Sequence, residues 1–555
     1  MAQPLEIRWL GKVRYRDALA LQRALFASFD NYLLLLEHPP TYTLGVRANT
    51  TNVLADPSTI GAELVTADRG GDVTFHGPGQ LVGYPILTVP PKRGTGVGMA
   101  DTAAYVDSIE QLVIDACFEL GLANVGRIRR CTGVWVDPDG PAPRKIAAIG
   151  VKLSRGRSMH GFALNVDREV LDGFRHIVPC GIADKGVTSL AAEGVAVTMR
   201  DVVDVVASLA TARWGTDGST RADHVWRTTP EDLAPFSRGA GPGTKALNRL
   251  NNAGVDTAQA VASTSRKPEW LRVKANMGQE FQTLRKTVRD LDLVTVCEEA
   301  GCPNIHECWN DGTATFMILG ERCTRACGFC LVDTRLPLPP DPSEPSRVAE
   351  AVAKLGLQHA VITMVARDDL VDGGATAVAA TVRAIRDRNP GTRIETLISD
   401  LKGDDSSIQT VIDSAPDVLN HNLETVLRLQ RAVRPSAGYA RSLALLARSH
   451  AAGLTTKSGL MVGLGETDVE VRAALRDLRN VGVDIVTIGQ YLRPTSTHLP
   501  MSRFWSAEEF DTLRTYGQSV GFAHVEASPL TRSSYHARQG AEAANAVTVT
   551  LGVRR

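Results

Sequence analysis

The chain has 555 residues and balances 61 Lys and Arg against 61 Asp and Glu, so it is too long for one ordinary core and carries no net charge. That balance gives no electrostatic case for nucleic acid or an anionic membrane as main partner, and no apolar run approaches bilayer-spanning length. Met1-Ala-Gln-Pro-Leu-Glu-Ile-Arg-Trp-Leu lacks the features of a signal or transit peptide, and a cytoplasmic protein is expected.

In chain order, Tyr15 to Ser28 has helical apolar spacing, and Leu33-Leu-Leu-Leu-Glu reads as a strand. Arg69-Gly70-Gly71-Asp72-Val73-Thr74-Phe75-His76-Gly77-Pro78-Gly79-Gln80 reads as a glycine-rich loop. Asp101 to Leu120 is a second helix, and Gly133-Val-Trp-Val and Lys145-Ile-Ala-Ala-Ile-Gly-Val-Lys152 are strands. Strands and helices do not alternate regularly here, which predicts an α+β domain with a mixed sheet over residues 1–235. Residues 236–266 are rich in Gly, Pro, Ser and Ala and read as a flexible joint with room for one short helix around Ala246, Leu247 and Leu250.

Residues 267–555 do alternate. Strand-like runs at Thr315–Leu319, Ala360–Thr363, Arg393–Ile398, Val418–His421, Lys457–Val462 and Ile485–Ile488 are separated by helical patterns such as Ser346–Leu355, Ala375–Arg388, Ala440–Ala452 and Asp468–Val481. Six β-α units predict an α/β domain, a parallel barrel or partial (β/α)6 barrel with its chemistry at the C-terminal strand ends.

Six of the nine cysteines fall between 297 and 330, as Cys297-x4-Cys302-x5-Cys308 and Cys323-x3-Cys327-x2-Cys330. Zinc also accepts thiolate, but closed zinc sites usually take four protein ligands, and each triplet supplies three. Three thiols fit three corners of a four-iron, four-sulfur cube and leave one iron open.

Cys-x3-Cys-x2-Cys after a first barrel strand resembles the radical S-adenosylmethionine superfamily. The upstream triplet, Gly312-Thr-Ala-Thr-Phe-Met-Ile-Leu-Gly and the closing Arg532-Ser533-Ser534-Tyr535 narrow the resemblance to lipoyl synthase, from about Lys267 to Tyr535. The resemblance implies a second, auxiliary 4Fe-4S cluster on Cys297, Cys302, Cys308 and Ser534, with Ser533 as the other choice. It implies a radical-generating cluster on Cys323, Cys327 and Cys330, and S-adenosylmethionine as cofactor. Two sulfurs, drawn from the auxiliary cluster, would enter at C6 and C8 of a protein-bound octanoyl chain. Contacts to S-adenosylmethionine are expected from Phe329, Gly373, Gly374, Asn420, Gly463 and Glu466. His421 could serve there or be a satisfied core histidine, and Met364 stands where the family usually has serine.

Of the remaining cysteines, Cys117 reads as core and Cys131 has no obvious partner. Cys180, in Val-Pro-Cys-Gly-Ile, sits where a loop can expose a thiol, and an ammonium such as Lys145 would ionise it. The glycine-rich run continuing to Tyr84-Pro85, together with Lys145-Ile-Ala-Ala-Ile-Gly, His160-Gly161-Phe-Ala-Leu-Asn-Val and Val187-Thr-Ser-Leu, resembles lipoyl(octanoyl) transferase over about residues 5–232. The resemblance implies a biotin/lipoate-ligase-like fold and octanoyl transfer from octanoyl-acyl carrier protein to a lysine of lipoyl carrier domains. Those domains are E2 subunits of 2-oxoacid dehydrogenases and the glycine cleavage H protein. Cys180 would carry the acyl thioester, and Lys145 would act as acid and base. Arg69, Gly70, Gly71, His76, Gly77, Gly79, His160 and Gly161 would bind the acyl substrate, with backbone N–H groups of the glycine run open to an oxyanion. An electron donor such as ferredoxin or flavodoxin is implied for the second half. Two rival readings of the first half are an ATP-dependent ligase and a non-catalytic docking module.

Overall fold

The computed structural model describes residues 4–92, 100–179, 185–226, 244–262, 265–266, 268–271, 278–295, 304–310 and 314–550. Cys180, Cys297 and Cys302 therefore lie outside the described residues. The chain divides into two compact units, Met1–Trp226 and Arg227–Arg555.

The first unit is built on a nine-stranded mixed sheet. Its strands are β1 (Leu5–Lys12), β2 (Asn31–Glu37), β6 (Gln80–Ile86), β7 (Val125–Ile128), β8 (Cys131–Val136), β9 (Arg144–Ser154), β10 (Arg157–Asn165), β11 (Gly186–Val187) and β12 (Ser219–Asp223). They run in the order β12-β1-β2-β6-β10-β9-β8-β7, with β11 paired to β9. A smaller sheet holds β3 (Thr41–Leu44) between β4 (Glu63–Thr66) and β5 (Val73–His76). Helices Thr102–Glu119 and Met199–Trp214 close one hydrophobic core with Ile109, Leu112, Val113, Val202 and Val206 against strand residues such as Leu33, Leu81 and Leu164. Asp101 and Thr198 cap these helices through their side-chain oxygens.

One sequence expectation fails here. The glycine-rich run Arg69–Gln80 is not wholly loop, because Val73–His76 pairs antiparallel with β3. Glycines on both sides hide a short Val-Thr-Phe-His strand of high β-propensity.

The second unit holds an eight-stranded sheet whose strands follow chain order. They are β13 (Val294–Thr295), β14 (Ala314–Ile318), β15 (His359–Met364), β16 (Arg393–Leu397), β17 (Val418–Asn420), β18 (Thr455–Val462), β19 (Ile485–Gln490) and β20 (His524–Ala527). β14 to β20 pair in parallel and β13 is antiparallel to β14. The six expected strands are β14 to β19; the structure adds the edge strands β13 and β20, Val294-Thr295 and His-Val-Glu-Ala, neither of which carries an apolar run. β14 and β15 are buried along their whole length, as parallel strands covered on both faces must be.

The flexible joint does not extend through 244–262. Helix Thr244–Asn252 belongs to the second unit, with Ala246 and Leu250 buried. The Arg428 guanidinium donates to the Ala253 carbonyl, and the Val261 N–H donates to the Met501 carbonyl. Ala246 and Leu250 stand four residues apart on one helix face, and small residues around them masked that apolar stripe. Among the described residues no helix is long and apolar enough to cross a membrane.

Candidate functional site

Side chains alternate along a strand, so every second residue faces the inside of the curved sheet. Thr363 and Leu397 do so at the C-terminal ends of β15 and β16, Gly459 and Thr487 in the middle of β18 and β19, and all four line a cavity of about 690 Å³. That volume suits a ligand of cofactor size. Cys308, Cys323, Cys327, Phe329, Cys330, Ser533 and Ser534 line the same cavity.

The cysteine loop after β14 is stitched down on all sides. The Cys323 N–H donates to Asp333 O at 2.7 Å, and His498 Nε2 donates to Cys330 O at 3.0 Å. The Arg325 N–H points at Cys323 Sγ at 3.4 Å. Burial holds the Cys327 thiol above its usual value, and the Arg434 guanidinium on the same cavity wall offsets only part of that.

The residues around the serines are tied to Cys308 in space. Tyr535 OH donates to Glu307 Oε1 at 3.0 Å, and Asn304 Nδ2 donates to Leu530 O at 2.7 Å. The Arg-Ser-Ser-Tyr run thus lies against helix Ile305–Asn310, which carries Cys308. Ser533 Oγ accepts from Asn422 Nδ2 at 2.5 Å, and the same nitrogen donates to Glu424 Oε1 at 3.0 Å. Soft thiolates with a hydroxyl beside them fit an iron–sulfur group, and the cavity has room for it. No group of three or more His, Cys, Asp or Glu among the described residues stands close enough to share one metal ion. A cubane spreads its thiolates over separate irons and asks for a wider spacing than that.

Several expected S-adenosylmethionine contacts are not in the cavity wall. Glu466 is buried and accepts from the Leu464 N–H at 2.9 Å and the Trp505 indole at 3.0 Å, as well as from Gly463. It caps its own loop. Gly463 has φ +109°, and a Cβ there would stand 2.1 Å from Gln490 Nε2, so the glycine serves close packing. Gly373 and Gly374 make the turn into helix Ala375–Arg388, where Asp372 accepts from the Gly374 and Thr376 N–H groups at 2.9 and 2.8 Å. Asn420 lies one layer below the cavity and donates to Glu395 Oε1 at 2.9 Å. Its neighbours Asn422 and Glu424, past the strand end, line the cavity instead.

His421 reaches the wall, yet both ring nitrogens are engaged. Nδ1 donates to Ile398 O at 2.8 Å and Nε2 accepts from Ser442 OH at 2.9 Å, while burial lowers its pKa to about 4. It is a satisfied core histidine. Near Met364, the hydroxyl of Ser399 lies 3.9 Å from Sδ and lines the cavity.

The first unit has a second, smaller cavity of about 50 Å³, lined by Arg69, Gly70, Gly71, His76, His160 and Gly161, with Tyr15 and Tyr84 added by the structure. A cavity near 150 Å³ is what takes a benzene, and this space is about a third of that. Arg69 is locked by its guanidinium onto Thr43, at 2.7 Å to both O and Oγ1. His76 Nδ1 donates to Gln80 Oε1 at 2.8 Å, and burial, then the neighbouring His38, holds it well below the usual histidine range. His160 has φ +59° and donates from Nε2 to Asp68 Oδ1 at 2.9 Å, leaving a buried Nδ1 without a partner. Gly77 and Gly79 are not in this wall. The Gly79 N–H donates to Glu37 Oε1 at 2.8 Å, so it is not available to an oxyanion.

Lys145 is buried on β9. Its Nζ donates to Thr132 O at 3.2 Å and sits 4.7 Å from the centre of the Trp135 ring. Lys145 pairs in register with Val187 of β11, seven residues beyond Cys180.

Comparison with known proteins adds family membership. Residues 317–478 match the radical SAM superfamily, and residues 232–302 match the N-terminal domain of lipoyl synthase. A lipoyl synthase from Rubrobacter xylanophilus is 56% identical over 278 residues, 50% of this chain and 87% of that one. A second, from Symbiobacterium thermophilum, is 53% identical over 300 residues, 54% and 93% of the two chains. The chain belongs to the lipoyl synthase family. The lipoyl synthase N-terminal match begins upstream of residue 236, which agrees with helix Thr244–Asn252 packing on the second unit. Residues 14–209 match the lipoyl protein ligase A/B catalytic domain, so the lipoyl synthase half is fused behind a second catalytic domain. The solved bi-partite lipoate protein ligase of Thermoplasma acidophilum is a distant likeness at 15% identity and TM-score 0.32, covering 40% of this chain and 86% of that one. The two halves together place the chain in lipoate biosynthesis, with S-adenosylmethionine and iron–sulfur chemistry in the second.

Proposed function

We propose that the chain makes the lipoyl group in two steps, octanoyl transfer by the first unit and sulfur insertion by the second. The observation that carries this is one cavity in the second unit. Cys308 of the first triplet, Cys323, Cys327 and Cys330 of the second, and Ser533 and Ser534 all stand on its wall. When bound, two 4Fe-4S clusters would supply an electron to S-adenosylmethionine and sulfur to the acyl chain. Cys323, Cys327 and Cys330 would hold one; Cys297, Cys302, Cys308 and Ser534 or Ser533 would hold the other. Asn422 orients Ser533 by donating to its Oγ, and the wall carries Arg325, Arg434, Arg493 and Arg532 against Glu424. The apolar wall segments Met317, Leu397 and Leu460 exclude water from the chain being attacked.

In the first unit Cys180 takes the octanoyl group from octanoyl-acyl carrier protein as a thioester. The carrier-domain lysine then displaces it as an amide, and Lys145 receives and returns the proton. Thioester for thioester is near balance and the amide step runs downhill, so ATP is not consumed. The indole face of Trp135 and the Thr132 carbonyl keep the Lys145 side chain extended in one place. The partners are octanoyl-acyl carrier protein, lipoyl carrier domains of E2 and H-protein type, and a ferredoxin or flavodoxin reductant, all in the cytoplasm. The transferase unit runs from 1 to about 235, and the synthase takes in 244–262 as well as 267–555.

Cys180→Ala tests the first step. With octanoyl-acyl carrier protein and apo-carrier it is expected to lose transfer by at least about a thousandfold and to form no acyl-protein adduct in an intact-mass spectrum. Transfer that survives this change and requires ATP would assign the first unit to ligase chemistry instead.

A further inference from the structure

A spacer between two metal-binding cysteines needs length and no charge, yet Arg325, the middle spacer of Cys323-x3-Cys327, is a buried guanidinium that lines the cavity. A buried charge is tolerated only when paired. Its Nε and Nη2 grip Asp368 at 2.7 and 2.8 Å, and Nη2 also meets Asp400 Oδ1 at 2.6 Å. Asp400 is fully buried and shares its other oxygen with Arg441 at 3.4 Å. Asp368 follows β15 and Asp400 follows β16, so one planar side chain joins the cysteine loop to two successive strand ends. Thr324 repeats the attachment on a smaller scale. Its Oγ1 donates to Ala366 O at 2.8 Å and accepts from the Asp368 N–H at 3.0 Å.

We infer that Arg325 is a positioning residue that fixes the Cys323–Cys330 loop over the ends of β15 and β16, and so governs how S-adenosylmethionine is seated beside those three thiols. The inference rests on the reading of that loop as a cluster site. A guanidinium fork holds two carboxylates in a fixed plane, which an ammonium on a flexible stem cannot copy. Arg325→Lys therefore keeps the charge and loses the geometry. Asp400→Asn keeps the shape and loses one of the two charges.

The test uses the full chain, reconstituted anaerobically, with iron counted, S-adenosylmethionine affinity measured by equilibrium dialysis, and the paramagnetic spectrum of the reduced protein recorded with and without S-adenosylmethionine. Arg325→Lys is expected to hold as much iron as the parent, to bind S-adenosylmethionine about tenfold more weakly, and to lose most of the spectral response. Asp400→Asn moves the same way by a smaller amount. Parent-like affinity and response in Arg325→Lys, or loss of iron in both variants, overturns the inference. A parent protein whose spectrum ignores S-adenosylmethionine would instead remove the cluster reading of the loop, whatever the variants do.

Discussion

Cys308→Ala is expected to leave reductive cleavage of S-adenosylmethionine running while sulfur insertion falls by at least about a hundredfold, and Cys327→Ala is expected to stop both. The two cysteines share a cavity but belong to separately anchored segments. Cys308 sits on the short helix tied to Tyr535 and Leu530, whereas Cys327 is in the loop fixed by Asp333, Arg325 and His498. Losing Cys308 should take about four of about eight irons and leave the other set intact. Iron and sulfide counts, 5′-deoxyadenosine by chromatography and the mass of the octanoyl carrier measure the three quantities side by side. If Cys308→Ala also ends cleavage, the six thiols do not serve two separate clusters. The same assays on Ser533→Ala and Ser534→Ala identify which hydroxyl belongs with Cys308.

The second large effect is on stability. One layer below the cavity Lys457 Nζ donates to both oxygens of Glu395 at 2.9 and 3.1 Å, and both residues are almost fully buried. Lys457→Met leaves the carboxylate without its cation and should cost about 3–5 kcal/mol in a denaturant midpoint. Glu395→Leu with Lys457→Met should recover most of that loss, because an apolar pair needs no compensation. Equal losses in the single and double variants would show that packing and not charge decides the site. Burial pushes the Glu395 carboxyl up, but Lys457 and then His359 overcome it and hold it at about 2. A depressed carboxylate contributes stability that is complete above the ordinary glutamate value of about 4.3 and fades as pH falls toward about 2. The parent should therefore lose this contribution on acidification below pH 4, and the double variant should lose less.

The sequence showed most clearly what is local in the chain. Cysteine spacing points to candidate ligands directly, and the largely apolar runs of β14 and β15 declare buried parallel strands. Short edge strands such as β13 carry too few residues for any period to show. Which residue of Asn420-His421-Asn422-Leu423-Glu424 faces the cavity depends on where β17 stops, and one residue past the strand the alternation no longer applies. Gly79 looked free because its partner, Glu37, is 42 residues away. Arg325 has no signal in the sequence, because a spacer position carries none until Asp368 and Asp400 are brought beside it.

Helix Thr244–Asn252 also bears on how the protein can be taken apart at the bench. A synthase fragment begun at 267 would discard Ala246, Leu250 and Val255, baring the greasy seat they fill and leaving Arg428 facing water where the Ala253 carbonyl had been. Such a fragment invites clumping that could be mistaken for dependence on the missing transferase. The scissors belong upstream of Thr244.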